Sequence, residues 1–265
     1  MTAANLNVTV VQTELTWQDA PANRARFEKL MQPLAGQTDL IVLPEMFTTG
    51  FTMAAEEMAE PVDGPSTQWL RTMAARVEAT ITGSIVTRDG GRYFNRLIWM
   101  RPDGTFATYD KRHLFRMARE QEHFAAGQER SIVTIGGWKI CPLVCYDLRF
   151  PVWSRNRLGT DREYDVLIYV ANWPDRRRYA WQTLLRARAI ENLSYCIGVN
   201  RVGKDAQGLD YAGDSAVIDF LGQPLVEKSA TEFVATVSLD RAALDAFRAK
   251  FPAHLDADGF SIEGE

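Results

Sequence analysis

The sequence predicts an α/β fold, and three observations carry that expectation. Apolar strand-like runs alternate with segments of helical spacing through the first ninety residues, which is the strand-helix-strand order of α/β folds. The interior runs are continuous and rich in β-branched residues, as in parallel strands buried on both faces. Reactive side chains stand where such runs stop, the usual place for ligand sites in open α/β sheets.

Leu6 to Gln12 alternates well enough for a first strand, and Pro21 opens a helix in which Phe27, Leu30, Met31 and Leu34 share one face. Pro33 kinks or ends that helix. Asp39 to Pro44 reads as an interior strand that stops at Glu45. Gly50 to Gly64 reads as a long irregular connection, a length often associated with lids. Leu70, Met73, Ala74 and Val77 repeat the helical spacing, and Ala79 to Thr87 returns as a strand.

Arg92 to Met100 and Thr105 to Asp110, separated by Pro102-Asp103-Gly104, read as a hairpin that delivers Lys111. After a short strand at Ser131 to Ile135 comes Ile140-Cys141-Pro142-Leu143-Val144-Cys145. This apolar run ends in a cysteine and turns polar, with Pro151 placed for the first turn of a helix. Tyr164 to Ala171 is another interior strand, ending in Asn172-Trp173-Pro174. A helix follows from about Asp175 to Asn192, then a strand from Ser194 to Asn200. A late β meander is expected from Ser215 through Leu239, and a last helix from Arg241 to about Lys250. No linker or repeat divides the 265 residues, so one domain spanning 1–265 is expected.

Composition excludes several classes of function. With 46% apolar and 24% charged residues and a net charge of −4, the chain has no basic stripe, so neither nucleic acid nor an anionic membrane is an expected partner. Residues 1–7 hold no cationic segment leading into an apolar one, and no run approaches the roughly 18 apolar residues of a membrane span. Three cysteines, an odd number in a chain of this length, fit a reducing compartment, and the cytoplasm is the expected location.

Glu45, Lys111 and Cys145 thus lie at the ends of three predicted strands, and their chemistry is complementary. A thiolate attacking an amide carbon needs a base that takes its proton and later returns one to departing ammonia, a role Glu45 fits if burial raises its pKa. The oxyanion needs a fixed positive charge and an amide donor, which Lys111 and the backbone N–H of Tyr146 supply. Cys141 and Cys196 read as core residues. A Cys-His mechanism would draw on His113, His123 or His254, none of which has a supporting local signature. A redox thiol lacks a Cys-x-x-Cys, and zinc lacks a convenient ligand set. A catalytically silent scaffold is the remaining alternative.

Four blocks in order then resemble the signatures of the nitrilase superfamily of carbon-nitrogen hydrolases. They are Pro44-Glu45-Met46-Phe47, Tyr109-Asp110-Lys111-Arg112-His113-Leu114-Phe115, Cys145-Tyr146-Asp147-Leu148-Arg149-Phe150-Pro151 and Arg186-Ala187-Arg188-Ala189-Ile190-Glu191-Asn192. Within that superfamily the sequence is similar to the bacterial omega-amidases, which hydrolyse the side-chain amide of 2-oxoglutaramate and related 2-oxo acid amides. The resemblance implies an α-β-β-α sandwich, a homodimer, a small-molecule amide substrate, no metal and no organic cofactor.

It also implies Glu45 as general base, Lys111 as oxyanion lysine and Cys145 as nucleophile. An additional active-site glutamate is expected about seven residues before Gly127, which selects Glu120, with Glu122 as competitor. Asp147 and Arg149 are expected to form a buried ion pair bracing the nucleophile, with His113 in support. Phe47 and Trp173 are candidates for the pocket wall, and Arg116 for a substrate carboxylate. Aliphatic amidase, carbamoylase and nitrilase activities share the same triad and stay open as alternatives.

Overall fold

Period-two alternation along the strands sorts this chain into layers. The computed structural model describes residues 4–156, 163–226 and 230–262. Its first half runs β1 (Leu6–Gln12), α1 (Ala20–Met31), β2 (Leu40–Val42), α2 (Ala55–Met58), β3 (Glu60–Pro61), α3 (Pro65–Val77), β4 (Thr80–Asp89), β5 (Arg92–Met100) and β6 (Phe106–Asp110). The second half runs β7 (Val133–Ile135), β8 (Trp138–Val144), α4 (Pro151–Ser154), β9 (Val166–Ala171), α5 (Arg178–Asn192), β10 (Tyr195–Asn200), β11 (Val202–Lys204), β12 (Asp210–Ala212), β13 (Ala216–Ile218), β14 (Phe233–Leu239) and α6 (Arg241–Lys250).

Two sheets result. One has the order β14-β1-β2-β4-β5-β6, with β3 beside β4; the other has the order β13-β10-β9-β8-β7. In the first sheet Val8, Val10, Leu40, Val42, Leu97 and Trp99 face the second sheet. Their neighbours Val11, Ile41, Leu43, Ile98 and Met100 face outward onto Phe27 and Met31 of α1 and Leu70, Met73 and Val77 of α3. The second sheet is apolar on both faces, one against the first sheet and one under α5. Helix α5 sits so close that a Cβ at Gly198 of β10 would lie 2.5 Å from Leu185 Cδ1 and 2.7 Å from Trp181 Cζ2, so any other residue there would displace both side chains. This is the expected α-β-β-α sandwich.

The end of the chain ties the layers together. Strand β14 pairs with β1 in the first sheet, and α6 then crosses to the second. There the buried Arg248 pairs with Asp165 at 2.6 Å and donates to Leu193 O at 2.7 Å, a carbonyl at the C-terminal end of α5.

Three expectations need correction. The late strands form no meander: β13 pairs with β10 in one sheet and β14 with β1 in the other, because the intervening chain changes layers. The connection Gly50 to Gly64 contains α2 and β3 rather than being wholly irregular. The helix expected from about Asp175 starts as a 3-10 turn, Asp175–Arg177, and becomes α-helical at Arg178.

Strand direction gathers the reactive residues. β2 and β4 are parallel; β5 and β6 each reverse direction, so β6 again runs with β2. β8 and β9 are parallel in the second sheet. The carboxyl ends of β2, β6, β8 and β9 therefore carry Glu45, Lys111, Cys145 and Asn172.

Candidate active site

The corner after β8 is backbone-strained and firmly held. Cys145 has φ +44°, a left-handed conformation that non-glycine residues seldom adopt. It begins a 3-10 turn over Cys145–Arg149, and Pro151 then opens α4. Asp147 fixes the bend from below. Its buried carboxylate accepts from Val144 N–H at 3.0 Å, Tyr109 O–H at 2.7 Å, His113 N–H at 3.0 Å and His113 Nδ1 at 2.8 Å. One side chain thus joins the cysteine corner to the segment on either side of Lys111.

Glu45 is held equally well. Met46, at φ +41°, donates its N–H to Ser84 Oγ at 2.8 Å, and Phe47 N–H reaches Ser84 O at 3.0 Å, anchoring the turn to β4. The Glu45 carboxylate accepts from Asn95 Nδ2 at 2.8 Å and from Asn172 N–H at 2.8 Å, while Asn172 Nδ2 donates to the Glu45 backbone carbonyl at 2.6 Å. Lys111 starts the loop after β6, its N–H bonded to Asn95 O at 3.0 Å and its carbonyl to Gly127 N–H at 3.0 Å. A Cβ at Gly127 would collide with the Asp110 carbonyl, so glycine lets the returning chain close over Lys111.

The Lys111 ammonium lies 2.9 Å from Glu45 Oε1 and 3.0 and 2.9 Å from the two oxygens of Glu120, with all three side chains wholly buried. Glu120 also accepts from Phe115 N–H at 2.6 Å. Burial alone would lower the lysine pKa, but the carboxylates of Glu120 and Glu45 outweigh it and hold the ammonium charged. Burial raises the Glu120 pKa against the pull of Lys111. Burial also pushes the Cys145 thiol well above its ordinary range; the Glu45 charge and a hydrogen bond to Glu45 add to the rise, and Lys111 opposes it. Burial and the neighbouring Glu45 thus favour the neutral thiol form of Cys145 over the thiolate.

A cavity of about 240 Å³ opens over this cluster, with Lys111, Cys145 and Asn172 on its floor and Phe51, Phe115 and Trp173 among its walls. The arrangement can hold a small amide with its carbonyl carbon at Cys145 and its oxygen toward Lys111.

The chain matches the carbon-nitrogen hydrolase family over residues 7–249. It is a carbon-nitrogen hydrolase. This carbon-nitrogen hydrolase is 48% identical to the omega-amidase YafV of Yersinia enterocolitica, over 98% of this chain and 99% of the relative. It is 31% identical to a 2-oxoglutaramate amidase of Bacillus subtilis, over 88% and 90%. The crystal structure of XC1258 from Xanthomonas campestris, a CN-hydrolase superfamily protein with an arsenic adduct in its active site, superposes with a TM-score of 0.96. Identity to it is 52%, with 98% of this chain and 99% of that one covered.

The structure brings Glu45, Lys111, Glu120 and Cys145 together. Glu122 instead faces solvent, paired with Arg119 at 2.7 Å. Other expectations fail. Arg149 does not pair with Asp147, whose oxygens are taken by Tyr109, His113 and Val144; it lies over the Trp173 ring at 5.0 Å and lines the cavity. Phe47 is core, packed on Phe27, Trp69 and Gly83, because the turn at Met46 sends it outward. Arg116 lines a neighbouring groove with Arg112 and Gln121, since the 3-10 turn at Arg116–Ala118 carries it past the cavity. Trp173 lines the cavity.

Asn95 and Asn172, which orient Glu45, were not singled out in the sequence. A polar residue inside the apolar run of β5 was the available signal for Asn95. The hairpin β11–β12, which places Tyr211 on the cavity wall and Asp205 between its strands, was also missed, because strands of three residues each are too short to show an alternating pattern.

The raised Cys145 pKa fixes a stability prediction. Unfolded, the thiol ionises near pH 8.5; folded, it stays protonated well above that. The folded state therefore holds the proton longer, and this group's contribution to stability falls as pH rises from about 8.5. Wild type should lose stability faster than Cys145→Ala in urea titrations above that pH, by up to about 1.4 kcal/mol per pH unit. Parallel pH dependences would contradict the shift.

Proposed function

We propose that this carbon-nitrogen hydrolase releases ammonia from the side-chain amide of a small 2-oxo acid amide, with 2-oxoglutaramate as the reference substrate. The observation that carries the reading is the Cys145 thiol facing the Glu45–Lys111–Glu120 cluster at the floor of the cavity. The names of the relatives, omega-amidase and 2-oxoglutaramate amidase, support the choice of substrate class.

In this mechanism Glu45 takes the thiol proton as Cys145 attacks the amide carbon, since burial favours the neutral thiol. Lys111 holds the oxyanion. Its bonds to Glu45 and Glu120 fix the ammonium, and one N–H remains for substrate when Glu120 is engaged through both oxygens by a single donor. Tyr146 lies in the first turn after the strand, where amide N–H groups have no intrahelical acceptor, and supplies the second donor. Glu45 returns the proton to the leaving nitrogen, ammonia departs and a thioester remains. Water deprotonated by Glu45, with Glu120 sharing the field, hydrolyses it to the acid and the free thiol.

A homodimer accompanies this reading. Tyr179 and Ile190 of α5 are 79% and 51% exposed, and Leu221 and Leu225 add exposed apolar surface on the turn that packs on Ile190. Light scattering should return twice the chain mass, and a monomer mass would contradict the dimer. The cytoplasm is proposed as its location; among the described residues no helix is long and apolar enough to cross a membrane.

Activity is tested by ammonia release from 2-oxoglutaramate beside glutamine, an aliphatic amide, an N-carbamoyl amino acid and a nitrile. Fast release from the 2-oxo acid amide, abolished in Cys145→Ala and lowered at least roughly 100-fold in Glu45→Gln, is expected. Cysteine-dependent release from another member alone would replace the substrate, and no release from any would return the scaffold reading.

A further inference from the structure

Arg177 is a half-buried cation with no counter-ion among the described residues. Its backbone is fixed, the N–H donating to Pro174 O at 3.0 Å and the carbonyl accepting from Trp173 Nε1 at 2.9 Å. Its guanidinium lies over the Phe115 ring at 5.1 Å on the cavity wall, and among the described residues its hydrogen-bond partner is the Met117 sulfur at 4.0 Å. Elsewhere in the fold, Arg96, Arg130, Arg188 and Arg248 pair with Asp110, Glu163, Glu191 and Asp165, and the buried Arg201, which has no carboxylate, donates instead to the backbone carbonyls of Leu15, Val202 and Lys204; among the described residues Arg177 has neither kind of partner. The next residue, Arg178, is held bidentately by Asp214 at 2.9 Å on each arm.

No carboxylate within the cavity is available to it. Asp205 spends both oxygens on its own loop, accepting Gln207 and Leu209 N–H at 2.9 Å each and Tyr211 O–H at 3.0 Å. Among the described residues, neither Arg177 nor its cavity neighbours Arg149 and Arg176 forms an ion pair. Arg176 is exposed at the mouth, and Arg149 is exposed and stacked on Trp173. Crowding of three unpaired arginines around partly dehydrated walls costs free energy that a bound anion recovers, and most strongly at the most buried of the three.

We propose that Arg177 is the specificity-determining residue that selects an anionic acyl chain, pairing with the carboxylate of a 2-oxo acid amide whose amide end lies at Cys145. The inference rests on the amidase reading above and names the group that reads the far end of the substrate. Arg177 makes charge-assisted bonds that a neutral amide cannot return, so discrimination shows mainly in KM for the anionic substrate.

The test compares kcat/KM for 2-oxoglutaramate with that for pentanamide in wild type, Arg177→Met, Arg177→Lys and Arg149→Met. Arg177→Met should lower the anionic-to-neutral ratio roughly 10–100-fold, with Arg177→Lys recovering part of it. An unchanged ratio, or one that falls only in Arg149→Met, overturns the proposal. Calorimetric titration of 2-oxoglutarate into Cys145→Ala, with and without Arg177→Met, separates the two readings. Binding that weakens with Arg177→Met in a protein whose wild type releases no ammonia would refute the amidase reading and support the role of Arg177. Binding indifferent to Arg177, or no binding, overturns that role.

Discussion

The Lys111 ammonium, buried between Glu45 and Glu120, is the interaction on which the site depends. Dehydrating one ammonium costs several kcal/mol, and carboxylates at hydrogen-bond distance offset that cost. Here two stand at 2.9 Å. The arrangement has a chemical consequence: burial raises the pKa of the Cys145 thiol, and the carboxylate of Glu45, which also stabilises the lysine, raises it further. In the proposed mechanism the thiol proton leaves only as the thiol attacks, and the charge on the oxyanion then forms where Lys111 already is. Removing either carboxylate disturbs two groups at once, the Lys111 cation and the Cys145 thiol.

Holding four such side chains within hydrogen-bond reach is the work of the sandwich. Parallel β2 and β6 on one sheet and β8 and β9 on the other bring their carboxyl ends to the same rim. Each reactive residue is then pinned from a neighbouring strand: the turn after Glu45 by Ser84, Lys111 by the Asn95 carbonyl, and the cysteine corner by Asp147. Two of the turns carry non-glycine residues at positive φ, Met46 and Cys145, a conformation that persists only where surrounding bonds over-determine it. Gly127 serves the same end by leaving room over Asp110.

Much of this was legible in the sequence because it rests on local pattern. The 3.6-residue spacing of Leu70, Met73, Ala74 and Val77 gave α3 its buried face, and the apolar runs before Glu45 and Cys145 gave their strands. What the sequence hid depends on partners distant along the chain. Asp147 and Arg149 are two residues apart and opposite in charge, yet the 3-10 turn separates them, and Tyr109 and His113, more than thirty residues earlier, take the carboxylate. The choice of Arg116 for the cavity failed for the same reason, since only the tertiary turn decides which loop arginine points inward. Asn95 and Asn172 orient Glu45 across 50 and 127 residues. No local rule reports such pairings.

The most direct test of the account is the mass of the protein quenched in acid during turnover of 2-oxoglutaramate. The account predicts a transient population heavier by one acyl group, mapped by peptide fragmentation to Cys145 and absent from Cys145→Ala. Sustained ammonia release with no acyl adduct, or an adduct on another residue, would contradict it.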